Sequence, residues 1–223
     1  MGRILEMTSL NLEEIDGVLP ANQARSRDAQ ARLMRAGEQV FAKLGYDAAR
    51  VSDISLAAGC SIGSFYRRFR DKEALFRALQ TQFALRGREN IGRFFSLPAW
   101  KTAPVSEVLR TLVMNTARQI ERHPGFFRAL FQRSLEGVGA PYFAALADAD
   151  VHAARGLAAF LKSRDAAPLG DAEALCHFAL QSVAAVLIHR MLHGGSRGPI
   201  TDPALIDQLT RLMMNYLELP KAS

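Results

Sequence analysis

The chain has 223 residues, 49% of them apolar and 22% charged, with a formal net charge of +6 and a pI near 9.7. That apolar share can bury one large core or two small ones and excludes a chain left unfolded for want of apolar surface. Two cysteines, Cys60 and Cys176, far apart in sequence exclude a disulfide framework, and no apolar run reaches the roughly 18 residues of a membrane span.

Residues 1–24 read as a flexible arm, weakly acidic, with one short helical turn in Leu10–Ile15 and Leu19-Pro20 near its end. From Ser26 to Leu44 the apolar positions Ala29, Leu33, Ala36, Val40, Phe41 and Leu44 recur mostly at three and four, the spacing of one helical face. Gly45 stops that helix. Ser52 is placed to cap a short helix, Asp53–Ala58, which Gly59 breaks. Ser61 caps the next, Ile62–Phe69, and Asp71 opens a longer one from Lys72 to about Arg93. Three helices with a tight break between the second and third describe a helix-turn-helix.

Two short helices that cross steeply need a small shared core. Ile54, Ala57, Ala58, Cys60, Phe65 and Phe69 can supply it, with Gly59 allowing the turn. The other side of the second helix carries Ile62, Gly63, Ser64, Arg67 and Arg68, with Tyr66 at its flank. A helix that enters the major groove leads with its N-terminal residues, and Ser61, Gly63 and Ser64 are short enough for close approach. An arginine there can grip guanine bidentately or pair with phosphate. Lys72 adds charge at a helix start, where free N–H groups already favour an anion. Basic charge is concentrated in this part of the chain: residues 21–94 carry 14 Lys/Arg against 7 Asp/Glu.

Gly45-Tyr46, Asp53-Ile54, Ala57-Ala58-Gly59, Ser61, Gly63-Ser64-Phe65-Tyr66, Phe69 and Asp71-Lys72-Glu73 resemble the DNA-binding domain of the TetR (tetracycline-repressor) family over residues 26–80. The resemblance implies that Ile62–Arg68 is the recognition helix and that Ser64, Tyr66 and Lys72 contact DNA, mostly its backbone. Ala49 and Arg50 depart from a Thr and Ser common in the family, so Arg50 replaces a hydroxyl contact with an ionic one. Ile62 stands where many members have a polar or basic residue and suits a thymine methyl. The full DNA-contacting set expected is Arg50, Ser52, Ser61, Ile62, Gly63, Ser64, Tyr66, Arg67, Arg68 and Lys72.

Helices follow at 104–122, 125–135, 140–164, 171–193 and 202–218, broken at Pro98, Pro104, Pro124-Gly125, Gly137–Pro141, Pro168–Gly170 and Gly194–Pro199. The fold class expected is all-α with about nine helices. Its domains are the arm (1–24), a helix-turn-helix domain (25–80) and a helical effector-binding and dimerisation domain (81–223). Residues 171–193 are apolar on more than one face and so need cover from several sides. The family resemblance implies that the last two helices pair with those of a second subunit. Expected to face an effector are Arg118, Phe127, Phe131, Gln132, Tyr142, His177, Phe178 and Gln181, an apolar group with a few polar points. His189 and His193 are four apart, a metal-compatible spacing without a third ligand. No metal or cofactor is therefore expected.

The partners expected are a palindromic double-stranded DNA operator, a small lipophilic or aromatic effector and a second copy of the chain, with no membrane. The start of the chain lacks the pattern of a signal peptide, which places it in the cytoplasm. The function expected is a repressor released by its effector. The alternatives are a helical regulator that acts through a protein partner without a small ligand and, lacking any recognised catalytic motif, a helical enzyme.

Overall fold

The computed structural model describes residues 15–21, 24–135, 139–193 and 198–219, and for residues 134, 135 and 139–145 the backbone alone. Nine α-helices run through the described residues: α1 Ala24–Ala48, α2 Val51–Ala57, α3 Ile62–Tyr66, α4 Lys72–Phe95, α5 Val105–Arg122, α6 Pro124–Leu135, α7 Gly139–Ser163, α8 Ala172–Leu192 and α9 Pro203–Tyr216. A 3-10 turn, Pro98–Lys101, follows α4. The one β-type feature among the described residues is an isolated bridge between Val18 and Phe69.

The ends of these helices follow from single residues. Gly45 takes φ +77°, which ends the regular part of α1 at the predicted place. Ser61 accepts a hydrogen bond from the Ser64 N–H at 3.1 Å and so starts α3. Asp71 (to the Ala74 N–H, 2.7 Å), Asp171 (to Ala174, 3.1 Å) and Asp202 (to Ala204, 2.7 Å) start α4, α8 and α9 in the same way. Two boundaries differ from expectation. The residue that opens α2 is Arg50, whose N–H donates to the Asp53 carboxylate at 3.1 Å, so Ser52 sits inside the first turn and is not the cap. The regular helix α3 ends at Tyr66 instead of Phe69.

The chain divides into two compact units. The first holds residues up to Arg86 together with Gly125–Leu146; the second holds Gly87–Pro124 and Ala147–Ser223. The first unit thus takes in α6 as well as α1, α2 and α3. Its core contains the fully buried Leu33, Phe41, Ile54, Phe65, Phe69, Leu75 and Phe76. Each such side chain contributes about 2 kcal/mol by leaving water. Phe41, Tyr46 and Phe76 pack ring against ring, and α6 adds Phe126, stacked on Phe83 at 4.7 Å between centroids. The approach of α6 to α1 is close enough that a Cβ on Gly125 would stand 1.8 Å from the Ala42 Cα.

Residues 15–21 also belong to this core, contrary to the free arm expected there. Val18 and Ala21 are buried. The Leu19 N–H donates to the Arg68 carbonyl and the Arg70 N–H to the Gly17 carbonyl, each at 2.8 Å. Asp16 takes both ends of the Arg70 guanidinium, at 3.0 and 2.9 Å. Those hydrogen bonds, with the charge of Arg70, hold its carboxyl below the usual carboxylate range. Phe69 is drawn into this bridge, which accounts for the early end of α3. The predicted turn in Leu10–Ile15 lies almost wholly outside the described residues.

In the second unit α5, α8 and α9 pack around Val108, Leu109, Ala117, Cys176, Leu187, Ile206 and Met213, all essentially inaccessible. Burial pushes the Cys176 thiol up to about 11, an inert core sulfur. By length and composition α8 is apolar enough to cross a membrane. It nonetheless buries Cys176, Ala179, Val183 and Leu187 against its neighbours at a spacing of three and four. Phe94, Phe95, Trp100 and Phe160 form a second aromatic group.

Candidate nucleic-acid interface

Helix α3 is anchored by one side and open on the other. Phe65 is fully buried, 5.6 Å from the Phe69 ring. Ser61, Ile62, Gly63, Tyr66 and Arg67 are exposed and Ser64 is half-exposed. Ile62 (49% accessible) and Tyr66 (51%) are large apolar side chains left in water at the surface of a small domain that buries others fully. The Ser61 and Ser64 hydroxyls lie 2.9 Å apart, and Arg67 donates to the Ser64 hydroxyl at 3.3 Å. Short residues at the helix start and a long donor at its end make a surface that a groove can receive. Arg50 and Ser52, at the start of α2, are exposed as well.

Two of the expected contacts have structural employment. Arg68 donates to the Arg67 carbonyl at 2.7 Å, to the Pro20 carbonyl at 3.4 Å and to the Ser26 hydroxyl. It ties the end of α3 to the docked arm and the start of α1. Lys72 directs its ammonium to the carbonyls of Tyr46 (2.7 Å), Asp47 (3.3 Å) and Ala49 (3.0 Å), and lies 4.3 Å from the Tyr46 ring centre. Three donors thus meet three acceptors at the end of α1, where carbonyls lack helical partners and a cation is favoured. Burial lowers the Lys72 pKa. These bonds tie the start of α4 to the turn from which α2 starts.

A cluster that sequence reasoning missed lies beside it. The Tyr46 hydroxyl donates to Glu73, and burial followed by this carboxylate raises the Tyr46 pKa strongly. Arg133 of α6 reaches the same carboxylate at 3.3 Å and lies 4.7 Å from the Tyr46 ring centre. Gln132 donates to Asp47. Tyr46 and Glu73 were visible in the motif; their partners, some 60 residues downstream of Glu73, carried no local signal.

Residues 33–79 match bacterial regulatory proteins of the tetR family, and residues 104–217 match the tetracycline-repressor-like C-terminal domain. The chain belongs to the TetR family. Over 111 residues it is 32% identical to an HTH-type transcriptional repressor of Mycobacterium tuberculosis, a stretch that covers 47% of this chain and 58% of that relative. A structure from Mesorhizobium loti, described as a TetR-family transcriptional regulator, superimposes with a TM-score of 0.69 at 16% identity, over 86% of this chain and 98% of that one. One from Streptomyces coelicolor gives 0.68 at 19% identity, over 85% and 80%. At these identities the two structures establish the TetR-family fold.

The residues expected at an effector site are divided between the two units. Phe127, half-buried, packs edge-on to Phe83 at 5.3 Å in the first unit, while Gln132 holds Asp47 there. Phe131 is exposed. In the second unit Arg118 and Gln181 face solvent, and Phe178 is 55% accessible, 5.1 Å from the Tyr216 ring centre on α9. His177 is half-buried, and Tyr142 lies outside the described side chains. On α8, a helix apolar nearly all round, composition does not tell the inward side.

Proposed function

We propose that this TetR-family chain is a transcriptional repressor that binds a palindromic operator as a homodimer and is released by a small lipophilic or aromatic effector. The observation that carries the DNA-binding role is the open side of α3, with Ser61, Gly63 and Ser64 at its start, beside exposed Ile62, Tyr66 and Arg67. Ile62 suits a thymine methyl, Arg67 a guanine edge or phosphate, and Ser64 and Tyr66 phosphate oxygens. Arg50 and Ser52 add phosphate contacts. Arg68 and Lys72 support this surface from behind. The reading assigns no catalytic residue, metal or cofactor, and it places the protein in the cytoplasm with its DNA.

The dimer in this reading forms through α8 and α9. Phe178 and Val186 on α8 and Leu212 and Tyr216 on α9 are large apolar groups left exposed. A two-fold pairing of this surface with itself would cover them and set two α3 helices one DNA turn, or a multiple of it, apart. Helix α4 runs through both units, so effector binding around its second half has a covalent route to Lys72. An effector shifts the protein off DNA only by its difference in affinity for the two arrangements.

The test is binding of the full-length protein to DNA upstream of its own gene and to a genomic fragment pool, wild type against Tyr66→Ala/Arg67→Ala. The expected result is specific binding that weakens with salt and falls by about 30-fold or more in the double variant, for about 1–3 kcal/mol lost at each contact. Equal, weak binding of both proteins to every fragment overturns the reading.

A further inference from the structure

A second basic surface lies outside the recognition helix. Arg25, Arg32 and Arg35 of α1, with Asp28 and Ala31, line one shallow open depression. All three arginines are exposed, and among the described residues none has a hydrogen bond or ion pair. Asp28 stands four residues before Arg32, a spacing that supports an ion pair, yet no such pair forms. Three other cations of the same unit are engaged: Arg70 on Asp16, Arg133 on Glu73, Lys72 on three carbonyls. The face of α1 turned away from these arginines buries Gln30, Leu33, Met34, Gly37 and Phe41, so the row has no part in the core.

The row is continuous with the recognition surface. Arg68, next to the last residue of the α3 turn, bonds the Ser26 hydroxyl and the Pro20 carbonyl, which holds the start of α1 against the end of α3. Arg25 is the neighbour of Ser26. From there to Arg35 the helix rises about 15 Å, the axial length of about four base pairs. We propose that the α1 arginine row contacts backbone phosphates flanking each half-site, which extends the DNA footprint beyond the bases that α3 reads. The inference rests on the DNA-binding reading above and adds phosphate contacts on a surface outside the recognition helix. Guanidinium groups suit the partner, because their forked donors match phosphate oxygens and their charge does not titrate. The contact carries no base preference; it adds affinity and salt dependence uniformly.

The experiment uses the full-length protein and the operator that wild type selects, as a short duplex ending at the half-sites and as one extended by six base pairs on each side. The variants are Arg25→Gln/Arg32→Gln/Arg35→Gln and Tyr66→Ala/Arg67→Ala, their folding checked by thermal melting. Wild type is expected to bind the long duplex more tightly and with a steeper salt slope. The triple glutamine variant should lose that gain, with the log–log slope shallower by up to about 5 for six arginines per dimer. On the short duplex it should match wild type and keep its sequence preference. If wild type gains nothing from the flanks, or the triple variant gains equally, the row is an ordinary solvated face and the footprint proposal is overturned while operator recognition stands. If wild type selects no operator, the DNA-binding reading fails and takes this proposal with it.

Discussion

The two compact units handle their exposed apolar groups differently. In the first, Ile62 and Tyr66 are open on a helix surrounded by short polar residues and arginines, the chemistry of a groove-binding surface. In the second, Phe178, Val186, Leu212 and Tyr216 are open on two long helices with few charges between them, the surface that the proposed dimer would cover. The polar interior differs as well. The first unit gathers Tyr46, Lys72, Glu73 and Arg133 into one cluster, whereas the ion pairs of the second, such as Arg110–Asp207 and Arg155–Glu173, lie at its rim. The same family architecture thus carries one unit with a polar cluster in its interior and another with its ion pairs at the rim.

The contrast breaks most visibly at Phe178. Phe178→Asp places two charges, one per subunit, in the proposed symmetric interface. It should raise the dimer dissociation constant by about 100-fold or more, read by sedimentation, and abolish operator binding with little change in helix content. A variant that stays dimeric would move the self-association surface away from α8. Next in size is Gly125→Val. Its Cβ has no room against Ala42, so the first unit should lose about 3 kcal/mol or more, read by denaturant unfolding. A smaller loss would mean that α6 shifts easily on α1.

Arg133→Met sharpens the polar side of the comparison. It leaves the Glu73 carboxylate without its cation at a site neither deeply buried nor open, and should cost about 1–2 kcal/mol. The cost should be confined to amides of the first unit in hydrogen exchange. Equal loosening of α5, α8 and α9 would count against two separable units. The smallest effect concerns the arm. The Asp16 carboxyl is held below its ordinary value of about 3.8, so its pairing with Arg70 is complete above that pH and is lost as pH falls through the lowered value. Exchange protection at the Leu19 and Arg70 amides should drop in that acidic window, and already at neutral pH in Asp16→Asn. Unchanged protection would assign the docking to Val18 and the backbone pairs alone.

Helices and their ends were legible because they depend on local chemistry. Gly45 ended α1, Ser61 began α3, and the proline and glycine breaks marked the later helices to within a few residues. The start of α2 differs through a local contact, Arg50 to Asp53, and the other exceptions have long-range causes. The bridge from Val18 to Phe69 shortened α3 and docked a stretch whose composition reads as loose. The motif identified Lys72 and Arg68 but not where they point, since carbonyl acceptors and a distant serine leave no trace in spacing. Likewise Arg133 and Glu73 meet across 60 residues of chain. On α8, apolar on nearly every side, composition alone could not distinguish the inward Val183 from the outward Phe178.

The setting of Lys72 bears on how natural variants of this chain are to be interpreted. A survey that scores substitutions by charge would treat Lys72→Arg as silent. The ammonium is a compact charge whose three hydrogens converge on the carbonyls of Tyr46, Asp47 and Ala49. A guanidinium is flat and wide, with donors fixed in one plane, and it cannot serve three acceptors arranged around a point. The exchange would push the α1–α2 turn open or turn the side chain outward. At this position shape, and not sign, defines what counts as conservative.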